Sequence, residues 1–233
     1  MTRAGLELER RKVPRSHRVV VTEKLIRETG ASAVLEIGAG DHSFRHVLLG
    51  PGRWTCIDFG VPCDVLCDAN DDAVHLPFRD GSFDLIVCTE VVEHMLWPQH
   101  LVRESFRLLR PGGGLLISVP NIASATYRVA WLLGRLPSCA ASGNLPSEMG
   151  STAYRTGGGR YVGGHVVDFT RKRLEQLLRS AGFVIRRTCG SGIIWHRQLL
   201  PAWAVPVALS SNIICLGIRT EGAPDARRAG VSS

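Results

Sequence analysis

The stretch VLEIGAGDHSF, residues 34–44, decides the fold. An apolar run reads as a buried strand, and it ends in an acid, Glu36, followed by two glycines one residue apart, Gly38 and Gly40. Glycine lacks a side chain, so a bound molecule can pack directly on the backbone of such a turn. A dinucleotide-binding turn would read G-x-G-x-x-G, but its last position here is Ser43, so that fingerprint fails. An acid just before the turn also repels a pyrophosphate. It suits a ligand that carries a cation, such as an amino group or a sulfonium.

Working outward, strand-like and helix-like segments alternate. "SHRVVVTEKLIRETG" reads as a helix with Ser16 at its N-cap and Gly30 past its end. "SFRHVLL" suits a helix after the glycine turn, "RWTCID" a second strand, "CDVLCDA" a short one and "FDLIVC" another buried one. "PQHLVRESFRLLR" carries a helical apolar stripe that stops at "PGGG", and "LLISV" is a strand stopped by Pro120. "TRKRLEQLLRSAG" is a helix capped by Thr170 and ended by Gly182, and "FVIRRTCG" and "SNIICLGIRT" are two closing strands. This alternation makes the chain an α/β protein.

The chain has 233 residues, 45% of them hydrophobic, enough for one sizeable core. The net charge of +7 is scattered, with its densest groups at Arg10-Arg11-Lys12 and Arg171-Lys172-Arg173. It permits an anionic partner without requiring one. Seven cysteines are an odd number without a disulfide-scaffold spacing. They read as reduced thiols of a cytoplasmic protein. Cys63 and Cys67 are followed by no second pair that would complete a zinc site, so no metal is expected. Residues 201–218 are uncharged but broken by prolines, and read as a loop leading into a buried strand rather than a stable membrane insertion.

A second acid, Asp58, ends the second strand, where a carboxylate can accept hydrogen bonds from both hydroxyls of a ribose. Further acids follow at Asp64, Asp68, Asp71 and Asp72. With these residues in view, the chain resembles the class I S-adenosylmethionine-dependent methyltransferases, in the group whose core is shared with ubiquinone and menaquinone methyltransferases. Four stretches carry the likeness: "VLEIGAG", "DAVHLPFRDGSFDLIVCTEVVEHM" over 72–95, "LLRPGGGLLISVPN" over 108–121 and "GHVVDFTRKRLEQLLRSAGFVI" over 164–185. Each alone is weak; four in the family's order and spacing are strong.

The resemblance implies a Rossmann-like, mostly parallel seven-stranded sheet with helices on both faces and an inserted lid after the fifth strand. With the residues' own patterning it divides the chain into an N-terminal helical segment over 1–30, a methyltransferase domain over 31–220 with an insert at 121–165 that is rich in Gly and Ser, and a tail at 221–233 whose composition reads as disordered. Carried over by position, Glu36, Gly38, Ala39 and Gly40 would line the methionine part of S-adenosylmethionine and Asp58 would hold its ribose. Asp68 or Asp72 would face the adenine amine, and Glu90 would sit nearby. Many relatives have a third glycine where this chain has His42.

The acceptor read from this resemblance is a small molecule, lipid or glycan precursor, methylated at oxygen, with His165 and His94 as candidate bases because imidazole titrates near neutrality. Tyr127, Trp131 and Arg160, in the insert, are candidate acceptor contacts. The chain has no "DPPY" or "NPPY" element and no separate RNA-binding module, which weighs against nucleic acid. The readings kept beside it are a non-catalytic methyltransferase-like partner protein and an RNA methyltransferase.

Overall fold

The computed structural model describes residues 16–40, 43–48, 51–59, 63–70, 73, 75–137, 154–155, 161–162, 164–195 and 197–220. In chain order its elements are α1 (His17–Thr29), β1 (Ala33–Ile37), β2 (Arg53–Asp58), β3 (Val65–Leu66), β4 (Phe83–Thr89), α2 (Pro98–Leu108) and β5 (Leu109–Pro120). There follow α3 (Ala125–Leu132), β6 (Tyr154–Arg155), β7 (Tyr161–Val162), α4 (Arg171–Ser180), β8 (Phe183–Gly190), β9 (Ile193–Trp195), β10 (Arg197–Leu200) and β11 (Asn212–Arg219).

Seven strands form one sheet in the order β3-β2-β1-β4-β5-β11-β8. β3, β2, β1, β4 and β5 pair in parallel, whereas β11 runs antiparallel between β5 and β8. The sheet is therefore mixed at one edge, as a mostly parallel seven-stranded reading requires. β6–β7 and β9–β10 pair antiparallel apart from the main sheet, and neither was legible as strands in the sequence.

Strand periodicity divides the core in two, because successive side chains point to opposite faces. Leu35, Ile86, Cys88, Leu115 and Ile117 face α2 and α4, which supply Leu101, Val102, Leu108, Leu174 and Leu178. Val34, Leu85, Val87 and Leu116 face the other way, toward Leu25 and Ile26 of α1. The N-terminal helix thus belongs to the core of the sheet rather than standing apart from it. Both faces being covered explains why the central strands read as unbroken apolar runs.

Three local expectations need correction. "SFRHVLL" forms only a 3-10 turn, Phe44–Val47, because the chain turns to extended backbone at Leu48, φ −69° and ψ 113°; the Phe44 N–H, a donor with no partner inside the turn, goes to Glu36 Oε1 at 3.0 Å. Ser16 precedes α1 without a side-chain capping bond, whereas Thr170 accepts from Arg173 N–H at 3.4 Å as expected of a cap. Finally, "PGGG" does not separate helix from strand. β5 begins at Leu109, and its register against β4 jumps from Phe83–Leu109 to Leu85–Gly114, so Arg110–Gly113 bulge out within the strand. Residues 1–15 and 221–233, with the expectations placed on them, lie outside the described residues.

Candidate functional site at the strand carboxyl ends

The strand order reverses between β1 and β4, and in an open α/β sheet the crevice at such a switch point receives ligands. The glycine turn leaves β1 there. Glu36 lies at its base, 2% exposed, on the face shared with Val34. β1 pairs with β2 so that Glu36 stands opposite Cys56, which puts Trp54, two residues earlier, on the same face. The Trp54 indole N–H donates to Glu36 Oε2 at 2.8 Å, and the Ser43 hydroxyl donates to the same oxygen. With the Phe44 bond, the carboxylate ties the turn to the sheet from three sides. Burial pushes its pKa up, opposed by the bonds from Ser43, Phe44 and Trp54.

Gly38 and Gly40 both hold positive φ, 69° and 52°, which L side chains rarely adopt. Their surroundings differ. A Cβ on Gly38 would come closer than 3.0 Å to Val91, whereas one on Gly40 would meet nothing within 4 Å. Gly38 is thus required by the protein's own packing against the segment after β4, and Gly40 leaves its outer side open. Ala39 lies between them, half-buried. The Gly40 N–H donates to Asp58 Oδ2 at 3.1 Å, so Asp58, at the end of β2, clasps the same turn. Asp68, exposed beyond β3, accepts from the Asn70 N–H at 2.9 Å, and Asn70 in turn accepts from Leu96 N–H at 2.8 Å. Asp72 and His42 lie outside the described residues.

On the β4 side, Glu90 is the one non-glycine described residue with positive φ, 56°. Its carboxylate accepts from Ser118 Oγ at 2.8 Å and Asn212 Nδ2 at 2.9 Å, and Arg18 of the segment α1 stands 3.9 Å away. Those bonds, from β5, β11 and α1, hold the kink. Val91, which meets Gly38, follows, and then the 3-10 turn Val92–His94.

Glu93 is 1% exposed and its carbonyl accepts the N–H groups of Val166 and Val167 at 2.8 and 3.1 Å. This brings His165, itself buried, within 4.0 Å of Glu93 Oε1 through Nε2, and sets its ring edge-on to His94 with centroids 4.9 Å apart. The two histidines singled out in the sequence are thus neighbours, and the His94 N–H donates at 2.9 Å to the carbonyl of Val91, the residue packed against Gly38. Glu93 is the group that sequence reading underweighted; its place between an acid and a histidine in "EVVEHM" was the available signal.

The insert residues are less gathered. α3 buries Ala130, leaves Tyr127 half-buried and exposes Trp131. Arg160, and residues 138–153 of the expected lid, lie outside the described residues.

Comparison with known proteins fits this layout. The profile of a family described as a methyltransferase domain matches residues 8–188. The chain is 34% identical over 110 residues to the ubiquinone biosynthesis O-methyltransferase of Chromobacterium violaceum, covering 43% of this chain and 46% of that one. It is 31% identical over 133 residues to the demethylmenaquinone methyltransferase of Mycolicibacterium vanbaalenii, covering 52% of this chain and 58% of that one. The alignments thus span about half the length of these curated relatives. Among solved structures, 1,6-didemethyltoxoflavin-N1-methyltransferase from Burkholderia thailandensis, with bound 1,6-didemethyltoxoflavin and S-adenosylhomocysteine, superposes with a TM-score of 0.53 at 17% identity, covering 89% of this chain and 80% of that one. At that identity the likeness is one of fold: the seven-stranded sheet of class I methyltransferases. With the family profile covering most of its length, the chain belongs to the methyltransferase domain family.

Proposed function

We propose that the protein transfers the methyl group of S-adenosylmethionine to an oxygen of a small molecule, lipid or glycan precursor. The observation that carries this is the packing, at one switch point, of the Gly38–Gly40 turn, clasped by Asp58, against Val91 of the segment that carries Glu93 and His94 beside His165. The first is a place for an adenosyl cofactor and the second a place for handling a proton. Membership of the methyltransferase family and the bound S-adenosylhomocysteine of the toxoflavin enzyme support the cofactor. The ubiquinone O-methyltransferase among the relatives supports oxygen as the target.

In this reading Glu36 positions rather than contacts: its carboxylate, bonded to Ser43, Phe44 and Trp54, holds the turn in the shape the cofactor needs. Asp58 meets the ribose, Asp68 or Asp72 the adenine amine, and Glu90 shapes the crevice wall. The methyl group already sits on an activated sulfonium, so the protein must align the acceptor for in-line displacement and exclude water. The new oxygen–methyl bond forms as the sulfur–methyl bond breaks, the sulfur leaves as a neutral thioether, and the hydroxyl proton passes to the histidine cluster. His165 acts as that base or orients it, with His94 against it. Tyr127, Trp131 and Arg160 are the acceptor contacts proposed from the insert.

The test is transfer of labelled methyl from S-adenosylmethionine across metabolite extracts, with calorimetric titration of S-adenosylhomocysteine. His165→Ala should lower turnover while leaving cofactor affinity nearly intact. A wild-type protein that binds NAD and ignores S-adenosylhomocysteine would overturn the proposal.

A further inference from the structure

Glu93 presents a problem that its neighbours do not solve. Its side chain is 2% exposed, and neither carboxylate oxygen has a hydrogen-bond partner among the described residues. Buried polar atoms in native proteins are nearly always paired, and an orphan calls for an explanation such as a bound ion. The donors nearby are spoken for: Ser118 and Asn212 bond to Glu90, and Arg18 stands toward Glu90 as well. What faces its carboxylate is imidazole. One ligand-type atom from each of Glu93, His94 and His165 lies within 4.8 Å of the other two.

We propose that Glu93, His94 and His165 form a binding site for a divalent transition-metal ion, Zn²⁺ or Mn²⁺ in class. Two imidazole nitrogens and a carboxylate oxygen are the donors such ions prefer, whereas Ca²⁺ and Mg²⁺ favour oxygen alone. Metal–ligand bonds of about 2.1 Å put adjacent donors of a tetrahedral site roughly 3.4 Å apart. The 4.0 Å between His165 Nε2 and Glu93 Oε1 therefore closes by a small side-chain rotation. The backbone already supports that closure: the Glu93 carbonyl holds the two N–H groups that follow His165. His94 is half-buried, and Glu93 and His165 are buried.

Three protein ligands leave a coordination position open, as catalytic rather than structural sites do. Its consequence rests on the methyl-transfer reading: the acceptor oxygen takes the open position, and the ion's charge lowers the pKa of that hydroxyl. The imidazoles then act through the ion instead of as free bases. The proton leaves to solvent, and the oxygen–methyl and sulfur–methyl bonds exchange as before. Ion binding itself does not depend on the methyl-transfer reading.

The experiment uses the full chain stripped with EDTA and free of any histidine tag. Zn²⁺ and Mn²⁺ are titrated by calorimetry, and Co²⁺ by its visible absorption, into the wild type and Glu93→Gln, His165→Asn and His94→Asn. S-Adenosylhomocysteine is titrated into the same samples, and circular dichroism checks the fold. One ion per wild-type chain, bound about a hundredfold or more weakly by each folded variant at unchanged S-adenosylhomocysteine affinity, is the expected result. No ion on the wild type, or equal affinity in the folded variants, overturns the site. An ion bound without any S-adenosylhomocysteine leaves the site standing and overturns the methyl-transfer reading instead.

Discussion

Gly38→Ala tests whether the glycine turn is built as described. At φ 69° an alanine pays the left-handed penalty of about 1–2 kcal/mol. Its Cβ also drives into Val91, closer than 3.0 Å to one methyl and 3.4 Å from the other. Overpacking of that kind costs about 1–3 kcal/mol. The single variant should therefore lose about 2–5 kcal/mol, a large part of the 5–15 kcal/mol that holds an ordinary domain. Val91→Ala removes the obstructing methyls but leaves the backbone penalty. In a double-mutant cycle followed by urea denaturation, the pair should be more stable than the sum of the singles by about 1–3 kcal/mol. Gly40→Ala should show only the backbone penalty, because its Cβ meets nothing within 4 Å. A Gly38→Ala protein as stable as wild type, or strictly additive singles, would refute the claim that Val91 and not only a ligand demands glycine there.

Three further outcomes can be checked. Glu36→Gln should destabilise by about 1–3 kcal/mol in thermal or denaturant melts, since an amide NH₂ must face one of the donors from Ser43, Phe44 or Trp54. Glu104 is desolvated, which raises its pKa, but Arg107, His75 and the Leu76 N–H outweigh this and lower it from 4.5 to about 2. A depressed folded-state pKa gives stability that is present above the unfolded value and lost as pH falls. Wild type should thus lose on the order of 2–3 kcal/mol between about pH 5 and 2 that Glu104→Gln does not lose over that range. Burial pushes the Cys56 thiol to about 12 and Cys215 to about 11. Both should resist a disulfide reagent at pH 8 in the native protein and react on unfolding; equal rates in the two states would contradict their burial.

Much of the sheet was legible because its signals are local. Apolar runs bounded by Gly, Pro and Asp marked β1, β2, β4, β5, β8 and β11, and the stripes of α2 and α4 marked the helices that cover one face. The segment Phe44–Val47 misled because its apolar spacing was helical while the backbone turns extended at Leu48. The β9–β10 hairpin escaped because it lies in a stretch with little alternation. In the site, the glycine turn with Glu36 and Asp58 stood out by residue type and position. Glu36 read as a ligand contact, yet its bonds run to Ser43, Phe44 and Trp54, a set that no spacing rule brings together.

The amino-acid sequence by itself determined the strands of the main sheet and the helices that cover it, that the central strands are buried on both faces, and that an acid and two glycines end the first strand. These follow from periodicity and backbone sterics, which act over a few residues. Tertiary structure decided the rest. It placed β11 antiparallel between β5 and β8, because pairing partners are chosen by packing across the whole sheet. It set Val91 against Gly38, so that one glycine answers to the protein and the other to open space. It carried His165 to Glu93 and His94 through two backbone hydrogen bonds from the segment before α4. Long-range juxtaposition depends on the summed burial of both cores, which no local pattern encodes.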